Sequence, residues 1–157
     1  MMRFGRINPA IAAPQMLLAV IGAENLMPEA GLIDLADFPE VHERSWYFAG
    51  ERRFVEQRPS ASHVWHAGAW VLDEALDRQA RAFVERAWRD QAIKPAFSLR
   101  DRHRDEVDMG GATTLTAEQF AELLGYIQRL RDWPQSPDFP DSQHRPTPPV
   151  WIAEQTQ

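Results

Sequence analysis

Asp73-Glu74-Ala75-Leu76-Asp77-Arg78-Gln79-Ala80-Arg81-Ala82-Phe83-Val84-Glu85-Arg86-Ala87-Trp88 is the stretch that decides the fold. Leu76, Ala80, Phe83, Val84, Ala87 and Trp88 recur at steps of three or four, so they share one face of a helix, and that face is expected to meet a core. Asp73 can accept the first free amides and cap the helix. Pro95 lacks an amide donor and disfavours helical angles at Lys94, so the helix is expected to end or kink there. A second helical piece could open at Pro95 and run through Phe97 and Leu99 to about Glu106, before Gly110-Gly111 breaks the chain.

Downstream, Thr116-Ala117-Glu118-Gln119 fits a capping box, with Thr116 as cap and Gln119 as the reciprocal partner. The helix it opens carries Phe120, Leu123, Leu124, Ile127 and Leu130 on one face and should stop near Asp132, ahead of Pro134. Six of the twelve prolines then fall between Pro134 and Pro149, which excludes a helix or central strand and favours an extended, polyproline-like arm. Trp133, Phe139, Val150 and Trp151 give this arm apolar anchors, so it is expected to pack on its own helices or on a partner.

Upstream, Met16–Ile21 is an apolar run bounded by Pro14 and Gly22 and reads as a buried strand. Leu32–Leu35 reads as another. Ser45–Phe48 and Arg53–Gln57 flank Gly50 as a hairpin, and His63–Leu72 repeats that arrangement around Gly68. The resulting expectation is an α+β fold: a small antiparallel β region of hairpins, a helical hairpin, and an extended Pro-rich C-terminal arm. Residues 1–60 would form a β-rich module, a possible attachment element, and residues 61–152 a second domain holding the 63–72 hairpin, the helices and the arm.

Composition narrows the function. At 157 residues, 44% hydrophobic and 25% charged, the chain is of globular type. A net charge of -6 argues against a nucleic-acid binder held by phosphate contacts. The absence of cysteine excludes disulfides, thiolate metal sites and a thiol nucleophile. Met16–Ile21, the longest apolar run, is far short of the roughly 20 residues of a membrane span. Arg3 and Arg6 lead into no apolar core of signal-peptide length before Pro9 and Pro14, so a cytoplasmic product is expected.

No nucleophile elbow, phosphate loop or dinucleotide fingerprint is present. The charged run Arg100–Glu106 contains His103 and Asp105, but Arg102 and Arg104 flank the imidazole and oppose a bound cation, so a solvated helix face or an inter-helix ion-pair cluster is expected. His63 and His66, three apart on a strand, point to opposite faces and make poor co-ligands. No cofactor, metal or catalytic residue is expected. Trp65, Trp70, Trp88, Trp133 and Trp151 are either a mutual core or a recognition surface, since Trp and Arg concentrate at binding hot spots.

A family resemblance bears on that choice. Ala87–Asp90, Arg102–Glu106, Thr113–Gln119, Leu130–Pro134, Pro137–Asp141 and Arg145–Trp151, in that order, resemble the phage tail assembly chaperone-like family, most specifically in RDWPQSPDFPD and RPTPPVW. Trp65–Val71 is similar to a Trp-Gly-Trp hairpin found just upstream in that family. The resemblance covers roughly residues 63–152, and Ile93–Phe97 departs from it by interrupting a helical run. It implies a non-catalytic protein that binds a phage tail, baseplate or fibre protein in the host bacterial cytoplasm. A permanent structural subunit of the virion tail is the alternative, and a homo-oligomer stays open. The expected contacts are Trp133, Phe139 and Trp151 as anchors, with Arg131 and Arg145 at the rim.

Overall fold

The computed structural model describes residues 2–24 and 29–155. It is an α+β protein with small antiparallel sheets and two long helices, divided into compact units at residues 1–73 and 74–157.

Among its described residues the N-terminal unit has three sheets. The first orders β3-β1-β4, with β1 (Met2–Arg6) antiparallel to both β3 (Ala19–Ala23) and β4 (Leu32–Asp34). The second orders β2-β5-β6, from β2 (Gln15–Met16), β5 (Trp46–Phe48) and β6 (Arg53–Val55). The third is the hairpin of β7 (His63–His66) and β8 (Ala69–Leu72). Met16–Ile21 is therefore not one strand: it is split between two sheets at Leu17-Leu18. Leu17, only 2% exposed, turns into the core with Ile7, Leu35, Val41 and Tyr47, and its amide bonds to the Ser45 carbonyl. Burying Leu17 requires leaving one ladder for the other, and periodicity in so short a run cannot register that. Gly5 makes room for it, since a Cβ there would lie 3.1 Å from both Leu17 methyls.

The β7–β8 hairpin belongs to this unit, which moves the expected boundary from residue 60 to 73. Trp70 meets Trp46 at 5.3 Å, Trp65 meets Phe48 at 5.5 Å, and the Trp70 indole donates to the Glu56 carbonyl at 3.0 Å. These contacts draw the hairpin onto the β5–β6 pair. In its turn Ala67 has φ 48 and Gly68 φ 86, the two left-handed residues of a type I′ connection. Replacing Ala67 by Asn, which tolerates that region better, is expected to stabilise this unit by about 1 kcal/mol in urea unfolding.

In the C-terminal unit, α1 (Glu74–Asp108) continues through Pro95, so of the expected end or kink the end does not occur. Ala96 and Leu99, beside Pro95, are buried against α2 (Ala117–Asp132), together with Leu115, Leu123, Tyr126, Ile127 and Leu130. That packing outweighs the ~3 kcal/mol intrinsic cost of an interior proline. Pro95 is itself exposed, so the carbonyl freed beneath its ring can be hydrated.

The other correction concerns the face of α1. Leu76, Ala80, Phe83, Val84 and Ala87, expected to meet the core, are exposed, and only Trp88 of that set is partly buried. The inward face instead carries Ala82, Glu85, Ala96, Leu99 and His103.

The capping box of α2 is present: Gln119 N–H donates to Thr116 Oγ1 at 3.2 Å and Thr116 N–H to Gln119 Oε1 at 2.9 Å. Thr116→Ala should cost about 1 kcal/mol, seen as faster amide exchange in the first turn of α2.

The proline-rich segment is not one continuous extended strand. Single 3₁₀ turns occupy Trp133–Gln135 and Ser142–His144, the Phe139–Pro140 peptide is cis, and α3 (Ile152–Gln155) closes the described chain. Proline at the start of a helical turn loses no bond that the turn needs, so Pro134 fits where a longer helix would fail. Among the described residues no helix is long and apolar enough to cross a membrane.

Candidate interaction surface

The segment that follows α2 packs back onto the helices of its own unit, held by residues that the sequence marked as anchors for its own helices or for a partner. Trp133 is 3% exposed and Phe139 7%; their rings meet edge to face at 5.5 Å and cluster with Ala82 and, partly buried, Trp88 of α1. Both are core side chains of the C-terminal unit, the own-core packing that the sequence left open beside a partner contact. They reach the core because the turn at Trp133–Gln135 reverses the chain directly after α2.

Arg145 is engaged rather than at a rim. Its Nε and Nη2 donate to the two carboxylate oxygens of Glu85 at 2.8 and 2.6 Å, and its guanidinium lies 4.6 Å from the Trp88 ring centroid. Glu85 is 3% exposed, so its charge is stable only because a two-pronged donor meets it. The Arg145 hydrogen bonds hold the Glu85 carboxyl below its ordinary range against the opposing effect of burial, with a smaller contribution from the Trp133 indole that faces it. The indole nitrogen makes no hydrogen bond of normal geometry, so its effect is that of a nearby dipole. Reciprocally, the same pairing raises the Arg145 pKa. Arg78 adds a bond to the Phe139 carbonyl at 3.2 Å, and Arg86 lies 5.3 Å from the Phe139 ring centroid.

The two remaining expected contacts are partly accessible. Trp151 is half-buried against the α1–α2 core, and its indole donates to Glu122 at 2.8 Å. Arg131 is exposed, with its guanidinium 5.5 Å from the Phe97 ring centroid. The five residues therefore divide between two places: Trp133, Phe139 and Arg145 on the Glu85 side of α1, and Arg131 and Trp151 beside the α1–α2 core.

A groove of about 280 Å³ lies beside this dock, lined by Ala80, Val84, Glu85, Pro140 and Ser142. It adjoins the exposed apolar residues of α1, of which Phe83 is 75% exposed and Val84 57%. Sequence reading recognised these side chains as one helix face and placed them inside. The overlooked signal was Glu85, whose spacing from Ala82, Trp88 and Ala92 sets it on the face that is buried.

The residues weighed for metal chemistry are dispersed. His103 is buried, stacked on Phe120 at 4.1 Å, while Arg102 and Glu106 of the same run pair at 3.9 Å. Glu106 accepts from the Thr114 hydroxyl and amide, which lower its pKa. Ser60 Oγ and His63 Nδ1 share a 2.8 Å hydrogen bond in the N-terminal unit. Among the described residues no group of three or more His, Cys, Asp or Glu is placed to hold a metal ion. Comparison of the chain with protein-family models, curated proteins and solved structures finds no match.

Proposed function

We propose that this protein is a non-catalytic tail assembly factor of a tailed phage or prophage, chaperone-like and acting by protein–protein contact. One observation carries the reading: a helical platform holds a proline-rich polypeptide segment through a buried carboxylate, Glu85, that grips Arg145, and an aromatic nest around Trp133 and Phe139. That is how a helical surface can hold a proline-rich polypeptide, here its own. Proline reduces the conformational freedom a segment loses on docking, so such a segment exchanges at modest entropic cost. A client segment of similar chemistry, arginine near aromatic and proline residues, would compete for the same groove, while Arg131 and Trp151 offer a second, already accessible contact.

Co-expression with candidate tape-measure, fibre and baseplate proteins of a tailed phage tests the reading. Stoichiometric copurification of one of them, with a rise in its soluble yield, is the expected result. Retention of none, together with normal particle assembly after deletion of this gene, overturns the proposal. Mass spectrometry of purified virions separates the alternatives, because a permanent tail, baseplate or fibre subunit is present in fixed copy number and an assembly chaperone is absent.

A further inference from the structure

We propose that the N-terminal unit carries a peptide site of its own, taking an acidic, proline-rich segment of another protein, in addition to the dock on α1. A groove of about 470 Å³ is lined by the 11–16 segment, β5, Arg58 and the β7–β8 hairpin. Its aromatic residues are Trp46, Trp65 and Trp70. Trp46 meets Trp70 at 5.3 Å and 87°, and Trp65 meets it at 5.1 Å and 75°, so both pack edge to face on the middle ring. All three indoles stay partly exposed after holding the hairpin in place. Ile11, Met16 and Val64 extend the apolar lining and are 41%, 48% and 37% exposed.

The chemistry of the lining selects the occupant. Proline rings stack on indoles, and a polyproline segment loses little conformational freedom on docking. Strand addition is the other way for a groove to hold an extended chain, but β2 is two residues long and follows Pro14, which has no amide. Recognition therefore rests on side chains. Charge supplies the second half of the specificity. Among the described residues no Asp or Glu lines the groove, whereas Arg58 does, its guanidinium 5.7 Å from the Trp70 ring centroid. Its Nε donates to the His63 carbonyl at 2.7 Å and its Nη2 to the Ala61 carbonyl at 2.6 Å. Carbonyls occupy those hydrogens without cancelling the unit charge. A carboxylate flanking the prolines complements that charge, and an ammonium ligand is opposed by it. A sugar finds no free side-chain amide in the lining, since Gln15 is committed to the backbone of Asn8 and Ile11.

Titration of acetyl-Asp-Pro-Pro-Pro-Pro-Asp-amide into the full chain is the test, followed by the protein's indole and backbone amide resonances. Binding with a dissociation constant below about 1 mM is expected, with shifts at the Trp65 and Trp70 indoles. The same peptide with alanine for proline, or with lysine for aspartate, should bind at least about tenfold more weakly. Trp65→Ala would disturb the hairpin itself, so the groove is probed instead at Met16, where the side chain is 48% exposed. Met16→Glu sets a carboxylate in the lining and should weaken binding at least about tenfold while the remaining amide spectrum matches the parent. Val107→Asp, at a 54% exposed site in the other unit, should leave binding unchanged. Absence of binding at several millimolar peptide, equal binding of the alanine or lysine peptide, or indifference to Met16→Glu overturns the proposal. Shifts confined to the Glu85 dock on α1 overturn it too, and leave the client-binding reading standing by itself.

Discussion

Arg145→Ala is expected to destabilise the C-terminal unit by about 3 kcal/mol, because it leaves the Glu85 carboxylate buried without its counter-charge. The value sits at the low end for a broken buried pair, since Arg145 keeps 34% of its side chain in water. Two compact units need not unfold together, so the loss is best read from hydrogen exchange of the most protected α1 amides. Replacing both partners by methionine should recover most of the loss, because the desolvation penalty goes with the charge. A change below about 0.5 kcal/mol in the single variant would mean that the pair behaves as an ordinary surface contact.

The same pair predicts an acid response. The Glu85 pKa is lowered in the folded protein, first by the Arg145 hydrogen bonds. As pH falls, the unfolded chain therefore takes up this proton before the folded one does. The pair's contribution is complete above the ordinary glutamate range, about 4.3, and disappears as pH falls through the lowered folded value. Glu106 and Glu118 also have lowered pKa values and titrate in the same window, so the difference between wild type and Glu85→Gln isolates the pair. That difference should be constant near neutrality and shrink only in acid.

Trp133→Ala should have the largest effect of any substitution in the proline-rich segment, about 3–5 kcal/mol. The ring is 3% exposed and joins Phe139, Ala82 and Trp88, and its loss opens a cavity beside the charged Glu85. Water entering that cavity would weaken the ion pair too, so Trp133→Ala and Arg145→Ala should not be additive. Trp151→Ala is expected to cost much less, because Trp151 is half-buried and its polar contact is the exposed bond to Glu122. Thermal unfolding of the two variants compares them directly. Equal stability of Trp133→Ala and wild type would show that the indole contributes nothing to this core, and would restore Trp133 as an anchor for another polypeptide.

Local chemistry made much of the fold legible in advance. Thr116 and Gln119 form a capping box within four residues, so no distant contact was needed to recognise the start of α2. Gly50 and Gly68 marked hairpins, and at Gly68 the glycine itself takes the left-handed angle, whereas in the β5–β6 turn that angle falls on Arg52. The α+β class followed from these signals together.

The candidate site was legible as residues but not as an arrangement. Trp133, Phe139, Arg145 and Trp151 stood out as too apolar or too specific for a solvated linker, and each does have a partner. Whether that partner lay within the chain depends on where the segment turns. The 3₁₀ turn at Trp133–Gln135 is a short-range event, but its direction is set by the cluster it reaches.

By itself the sequence determined the α+β class, the start of α2 and the positions of two hairpin turns, and it excluded chemistry that depends on thiols. Tertiary structure alone decided that α1 passes through Pro95, that Leu17 splits an apolar run between two sheets, and that the Glu85 face of α1 turns inward while Phe83 turns out. The physical reason is common to all three. Periodicity says that an apolar face exists but not what meets it, and the free energy of burial belongs to pairs of surfaces far apart in the chain. On α1 both faces could have been covered. The proline-rich segment, bringing Arg145 to Glu85 and Trp133 to Ala82, selected the one that carries the charge.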